Sequence, residues 1–126
     1  MHVLVTGAAG FIGYHVSEAL LARGDRVTGI DSVNAYYDPA LKQARLDRLA
    51  RHDAFAFRRV DIADRDSMLP FRDMAPDAIV HLAAQAGVRH SLKKPEDYVR
   101  SNLMGQAEIL ELARALPKLS HLVYAS

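Results

Sequence analysis

Cysteine is absent from these 126 residues. Without it, neither a disulfide framework nor a cysteine-based zinc site can organise the fold, which suits a reducing compartment. An excess of either charge is missing too: 16 Lys and Arg face 15 Asp and Glu, a net charge of +1. No global field draws the chain to nucleic acid or an anionic membrane, so any phosphate binding must be local. Long apolar runs are also lacking, and the opening "MHVLVTGAAGFIG" has no basic region followed by a long apolar stretch. The expectation is a soluble, cytoplasmic protein with no nucleic-acid or membrane partner. The six histidines, His2, His15, His52, His81, His90 and His121, show no metal-ligand spacing, and His81 reads as a satisfied core residue. No metal is expected. With no internal repeat, low-complexity tract or linker, residues 1–126 read as one domain.

Half of the residues are hydrophobic and a quarter charged, the composition of a globular chain with a packed core. Strand-like runs alternate with helix-period stretches along its whole length. Strands are expected at 2–7, 26–31, 54–61, 77–84 and 120–126. Between them, a helix should run from Phe11 to Arg23 with Ile12, Val16, Ala19 and Leu20 inward, and another over 39–50, opened by Pro39. A short helix is expected at 64–73. The longest, 95–116, should carry Val99, Leu103, Ala107, Leu110 and Ala113 along one side. Such alternation specifies a parallel sheet with helices on both faces, here in the order 3-2-1-4-5. Ligands on such sheets bind beyond the carboxyl ends of the strands, between strands 1 and 4.

"TGAAGFIG" falls at that place. Gly7, Gly10 and Gly13 lie between a strand and a helix, where absent side chains permit a tight turn, let a pyrophosphate approach backbone N–H groups, and allow close helix packing. A glycine-rich turn without a ligand is the plainer alternative; the flanking strand and helix favour a nucleotide. The Gly-Lys-Ser/Thr of a P-loop is missing, which disfavours ATP hydrolysis. Asp31 ends the second strand, where a carboxylate accepts from an adenosine ribose and repels a 2′-phosphate. No arginine immediately follows it, so NAD is expected rather than NADP. Asp61, ending the third strand in "VDIAD", is either a turn residue or an adenine contact, with Ile62 packed beneath.

The segments "VTGAAGFIG", "VDIAD", "HLAAQAGVR" and "YVRSNLMG", in this order and with Asp31, resemble the extended short-chain dehydrogenase/reductase family of NAD-dependent nucleotide-sugar epimerases and dehydratases. "NAYYDPALKQARLDRL" with "HLAAQAGVRHSL" is most similar to the UDP-glucuronate 4-epimerases, some of which serve capsule and surface-polysaccharide synthesis. The resemblance implies a Rossmann-type doubly wound sheet, with the chain as the N-terminal, cofactor-binding part of an enzyme of this family, truncated before the later strands. It also implies that Gly7, Gly10, Phe11, Ile12 and Gly13 hold the pyrophosphate of NAD, Asp31 and Ser32 the ribose, and Asp61 and Ile62 the adenine. Leu82, Ala83 and Ala84 would line the nicotinamide, and Asn102 would brace the adjoining backbone. Many relatives carry Asn where this chain has Ser32. Gln85, Arg89 and Ser91 follow strand 4 in a loop that approaches the UDP-sugar in the family, although Arg89 reads equally as a surface charge.

Family chemistry removes hydride from C4 of the sugar to give a 4-keto intermediate. A tyrosine takes the hydroxyl proton, held ionised far below its usual pKa of about 10 by a lysine four residues on. None of Tyr14, Tyr36, Tyr37, Tyr98 or Tyr124 has a lysine at that spacing. The family's catalytic hydroxyl aligns one residue beyond Ser126, so no catalytic residue is assigned and these residues alone are expected to be inactive. Homo-oligomerisation is expected from an exposed fifth strand.

Overall fold

The computed structural model describes residues 1–126. Five parallel strands are ordered β3-β2-β1-β4-β5, as the alternation of strands and helices requires. In chain order the elements are β1 (His2–Thr6), α1 (Phe11–Ala22), β2 (Arg26–Asp31), α2 (Pro39–Leu49), β3 (Phe55–Arg59), α3 (Arg65–Met68), α4 (Pro70–Met74), β4 (Ala78–His81), α5 (Val88–Lys93), α6 (Pro95–Tyr98), a π-helical turn (Val99–Met104), α7 (Gly105–Ala115) and β5 (His121–Tyr124). This is a doubly wound Rossmann-type sheet. No helix is long and apolar enough to cross a membrane.

Central β1 is buried along its whole length because β2 and β4 flank it and helices cover both faces. Successive side chains point to opposite faces of a strand. Leu4 therefore joins Ile30, Phe71, Ile79, Ile109 and Leu112 on one face, while Val3 and Val5 join Tyr14, Leu21, Val27 and Leu49 on the other. Each large apolar side chain fully buried in this way is worth about 1.5–3 kcal/mol against exposure.

Five expectations need correction. Ile12 and Ala19 do not face the sheet from α1; Gly13, Tyr14, Ser17 and Leu21 do, and Ile12 is exposed. The cause is steric: a Cβ on Gly13 would overlap the Gly7 carbonyl, so small residues occupy the line of closest approach and the apolar pattern is rotated off it. The helix expected over 95–116 is one helical path, but the π turn at Val99–Met104 shifts its phase. Gly105, Ile109 and Leu112 are buried from α7, whereas Val99, Leu103 and Leu110 are exposed. The loop expected around Gln85 to Ser91 contains α5, which carries Arg89 and Ser91.

Pro70 splits the short helix expected at 64–73 into α3 and α4. β4 ends at His81 rather than at Ala84. The backbone N–H groups of Leu82 and Ala83 donate instead to Thr6 Oγ1, at 3.0 and 2.9 Å, which takes this segment out of the ladder.

Candidate functional site

A groove of about 550 Å³ lies across the carboxyl ends of β1, β2 and β4, within the range of cofactor sites. Every candidate cofactor residue except Asn102 lines it: Gly7, Gly10, Phe11, Ile12 and Gly13 from the glycine loop and the start of α1, Asp31 at the end of β2 with Ser32 after it, Asp61 and Ile62 after β3, and Leu82, Ala83 and Ala84 after β4.

The glycine loop is shaped for an anion. Gly7 has φ +72°, a conformation that glycine adopts without strain, and a Cβ there would stand 2.9 Å from the Ala83 nitrogen. A Cβ on Gly10 would meet only the Gly7 carbonyl, at 3.2 Å, and otherwise enter the groove. Gly10 caps α1 without a side-chain bond, and the backbone N–H groups of Phe11, Ile12 and Gly13 have no hydrogen-bond partner. Unpaired donors at the positive end of a twelve-residue helix make an anion cradle.

Asp31 is buried, and its carboxylate is held in place by backbone. Oδ2 accepts from Ala9 N–H at 3.1 Å and Oδ1 from Val33 N–H at 2.7 Å. Val33 itself has φ 52°, a left-handed conformation that a β-branched residue resists. Two of the four acceptor directions of the carboxylate are thereby used, and two remain.

Asp61 is half exposed at the groove edge, accepting Ala63 N–H at 3.0 Å on Oδ1 and Arg100 Nη2 at 2.8 Å on Oδ2. It is thus both a turn aspartate and a lining residue. Ile62 is buried beneath it against Gly105, where a Cβ would come within 2.6 Å of Ile62 Cδ1.

Thr6 ties the two walls together. Its Oγ1 accepts from Leu82 and Ala83, so its own proton goes to His81 Nδ1 at 2.7 Å. The acceptor role fixes His81 as neutral with its proton on Nε2, and burial holds its pKa below the usual value.

Asn102 lies outside the groove lining. Its Oδ1 accepts from Gln85 N–H at 2.7 Å and its Nδ2 donates to Gln85 O at 3.3 Å, fastening the backbone after β4 to the π turn. None of the three substrate-side candidates lines the groove either. Gln85 is buried with Nε2 on Ala86 O, Ser91 Oγ donates to Val88 O at 2.5 Å, and Arg89 is exposed without a polar partner.

Sequence reasoning missed one wall. Asn34, Leu41, Lys42 and Arg45 reach the groove from α2 and the loop before it. Lys42 is buried with Nζ 3.7 Å from Asp31 Oδ1, and Arg45 donates to Ala9 O at 3.1 Å. The signal was present: Lys42 shares a helical face with Leu46 and Leu49, so a lysine interrupts an apolar stripe. Tyr37 also lines the groove, while the neighbouring Tyr36 packs edge-on against His90.

Residues 4–126 match the family model described as GDP-mannose 4,6 dehydratase. The chain is 46% identical over 127 residues to UDP-glucuronate 4-epimerase 6 of Arabidopsis thaliana. Among solved structures it is similar to a UDP-glucuronic acid 4-epimerase from Bacillus cereus in complex with UDP-glucuronic acid and NAD, with 37% identity and a TM-score of 0.87 over 98% of the chain. A UDP-glucose 4-epimerase from Thermotoga maritima with UDP-glucose gives 29% identity and a TM-score of 0.85 over the whole chain. This chain spans 27% of the Arabidopsis protein, 39% of the Bacillus chain and 38% of the Thermotoga chain.

Proposed function

This chain belongs to the family described as GDP-mannose 4,6 dehydratase, and from that premise we propose that it is the NAD-binding domain of a nucleotide-sugar 4-epimerase acting on UDP-glucuronate. The observation that carries the reading is the convergence of three unpaired N–H donors at the start of α1 and a buried carboxylate, Asp31, in one groove. An anionic pyrophosphate fits the donors, and a ribose diol fits the two open acceptor directions of Asp31.

Bound NAD⁺ would supply a reversible hydride acceptor for C4 of the sugar. The chain's own residues bind and orient. Phe11, Ile12 and Gly13 donate to the pyrophosphate; Asp31, with Ser32 beside it, receives the ribose; Asp61 and Ile62 border the adenine. Leu82, Ala83 and Ala84, held by Thr6, form a low wall against which a planar ring can lie. Asn102 keeps that wall in register through Gln85. On the sugar side, Arg89 alone among the candidates keeps a free side chain, since Gln85 and Ser91 are bonded to neighbouring carbonyls.

The proton-transfer pair is another matter. With no tyrosine followed four places on by lysine, these residues select and hold the cofactor without supplying the acid–base couple. UDP-glucuronate is favoured as the sugar nucleotide by the 46% identity to the Arabidopsis UDP-glucuronate 4-epimerase.

Calorimetric titration of the purified protein, its intact mass confirmed, tests the reading. Saturable binding of NAD⁺ in preference to NADP⁺ is expected, with no conversion of UDP-glucuronate by these residues alone. Failure to bind either dinucleotide overturns the cofactor assignment, and epimerisation of UDP-glucuronate overturns the account of the missing acid–base pair.

A further inference from the structure

We propose that Lys42 selects the cofactor together with Asp31: its ammonium binds the oxygens of the adenosine ribose, and with Arg45 it forms a phosphate-accepting corner that the Asp31 carboxylate alone keeps closed to NADP. This rests on the cofactor reading above and names a residue that the glycine loop and Asp31 do not predict.

Lys42 is 9% exposed, yet its charge is poorly answered. Its Nζ stands 3.7 Å from Asp31 Oδ1 and 3.5 Å from Asn34 Oδ1. Charge-assisted bonds between ammonium and carboxylate close to roughly 2.7–2.9 Å. A lysine whose role was to fix Asp31 would sit at that distance. Asp31 is already fixed by the backbone N–H groups of Ala9 and Val33, at 3.1 and 2.7 Å, and does not need a third anchor. The ammonium has three donors, so it keeps hydrogens directed to whatever enters beside the carboxylate. A desolvated cation is costly to maintain, which makes a wall position in a ligand groove more telling than the same lysine on a surface.

Arg45 lies one helical turn away along α2 and lines the same end of the groove. One of its five N–H donors goes to Ala9 O at 3.1 Å, and no acidic side chain pairs with it. Two cations and one carboxylate thus meet at the ribose end, a net positive corner. A 2′-phosphate entering there would be attracted by Lys42 and Arg45 and repelled by Asp31 at closer range. Removing only the Asp31 charge should therefore convert the corner rather than merely damage it.

The test is calorimetric titration with NAD⁺ and NADP⁺ of the wild type, D31N, D31N/K42M and D31N/K42R. K118M, an exposed lysine away from the groove, controls for net charge. Asp31→Ser in place of Asn gives an independent route should D31N fail to fold, with thermal melting by circular dichroism run on each variant. The expected result is a shift in the NADP⁺ to NAD⁺ affinity ratio of at least about tenfold toward NADP⁺ in D31N or D31S. K42M should abolish the shift, K42R should retain it, and K118M should leave the wild-type ratio unchanged. A shift that survives K42M, or no shift in folded D31N and D31S, overturns the role of Lys42 while leaving NAD⁺ binding by the wild type intact. A wild type that binds neither dinucleotide overturns the cofactor reading itself.

Discussion

At the scale of single residues, Val33 and Ser17 are locally uncomfortable. Val33, whose N–H donates to Asp31, has φ 52°, a conformation that costs a residue with a Cβ about 1–2 kcal/mol. Asparagine tolerates this region, so Val33→Asn should raise the unfolding free energy by about 1 kcal/mol, read from the urea midpoint, without moving Asp31. Ser17 presents the opposite case. Its hydroxyl is fully buried in α1 with no hydrogen-bond partner. An unsatisfied buried polar atom costs on the order of 1–3 kcal/mol, and Ser17→Ala keeps the side chain small enough for the close approach of α1 to the sheet. The same denaturation measurement should show Ser17→Ala at least as stable as the wild type. Both effects escape sequence inspection: a valine after a strand and a serine in a helix are ordinary letters until the backbone angle and the missing partner are known.

At the scale of elements, β1 and β4 are joined at the groove by one hydroxyl. Thr6 accepts two backbone N–H groups and donates to His81, a geometry available only to neutral His81. On β1, His2 is neutral for a similar reason, with Nδ1 accepting from Arg26 at 3.0 Å and Nε2 against Thr28 Oγ1 at 2.8 Å; burial first and Arg26 second lower its pKa. Desolvation likewise lowers that of His81. A histidine with a folded pKa below the unfolded value of 6.5 is protonated more readily in the unfolded chain. Stability is therefore full above pH 6.5 and falls as the pH drops below it, until the lowered folded pKa values are passed. Melting temperatures between pH 8 and pH 5 should show this fall, and His81→Asn, which keeps an acceptor near the Nδ1 position, should make it shallower, leaving the share of His2. Thr6→Val tests the hub directly: leaving the Leu82 and Ala83 N–H groups without an acceptor should cost roughly 2–4 kcal/mol in the urea midpoint. Strand and helix order was legible because the period of apolar residues changes from two to 3.6 along the chain. The helix faces were less so. In α1 and α7 the residues nearest the sheet include Gly13 and Gly105, which carry no hydrophobic signal, and the π turn at Val99–Met104 adds a phase shift that no fixed period contains.

At the scale of the whole molecule, the groove was legible and its third wall was not. The glycine loop, Asp31 and the segment after β4 lie within recognisable motifs, whereas Lys42 and Arg45 come to the site through the placement of α2 beside α1. The same global view explains the apolar residues that the sequence assigned to the core. Val99, Leu103 and Leu110 are 55%, 65% and 48% exposed, and Val88 and Leu92 on α5 exceed 80%. These side chains have the composition of a buried face without a cover. Scattered exposed apolar residues are normal, but several along adjoining helices favour association. On β5, Val123 and Tyr124 are each 54% exposed and the outer edge has no paired strand, unlike the other edge strand, β3, where Arg58 and Arg59 discourage edge pairing. Self-association of the 126-residue chain should therefore run through α5, the π turn and β5. Sedimentation velocity over a hundredfold concentration range should show a weight-average coefficient that rises with concentration. Leu103→Glu with Val123→Lys should suppress that rise and leave NAD⁺ affinity unchanged, since neither residue lines the groove. A monomer at every concentration would mean that these exposed side chains are tolerated singly and do not form a contact surface.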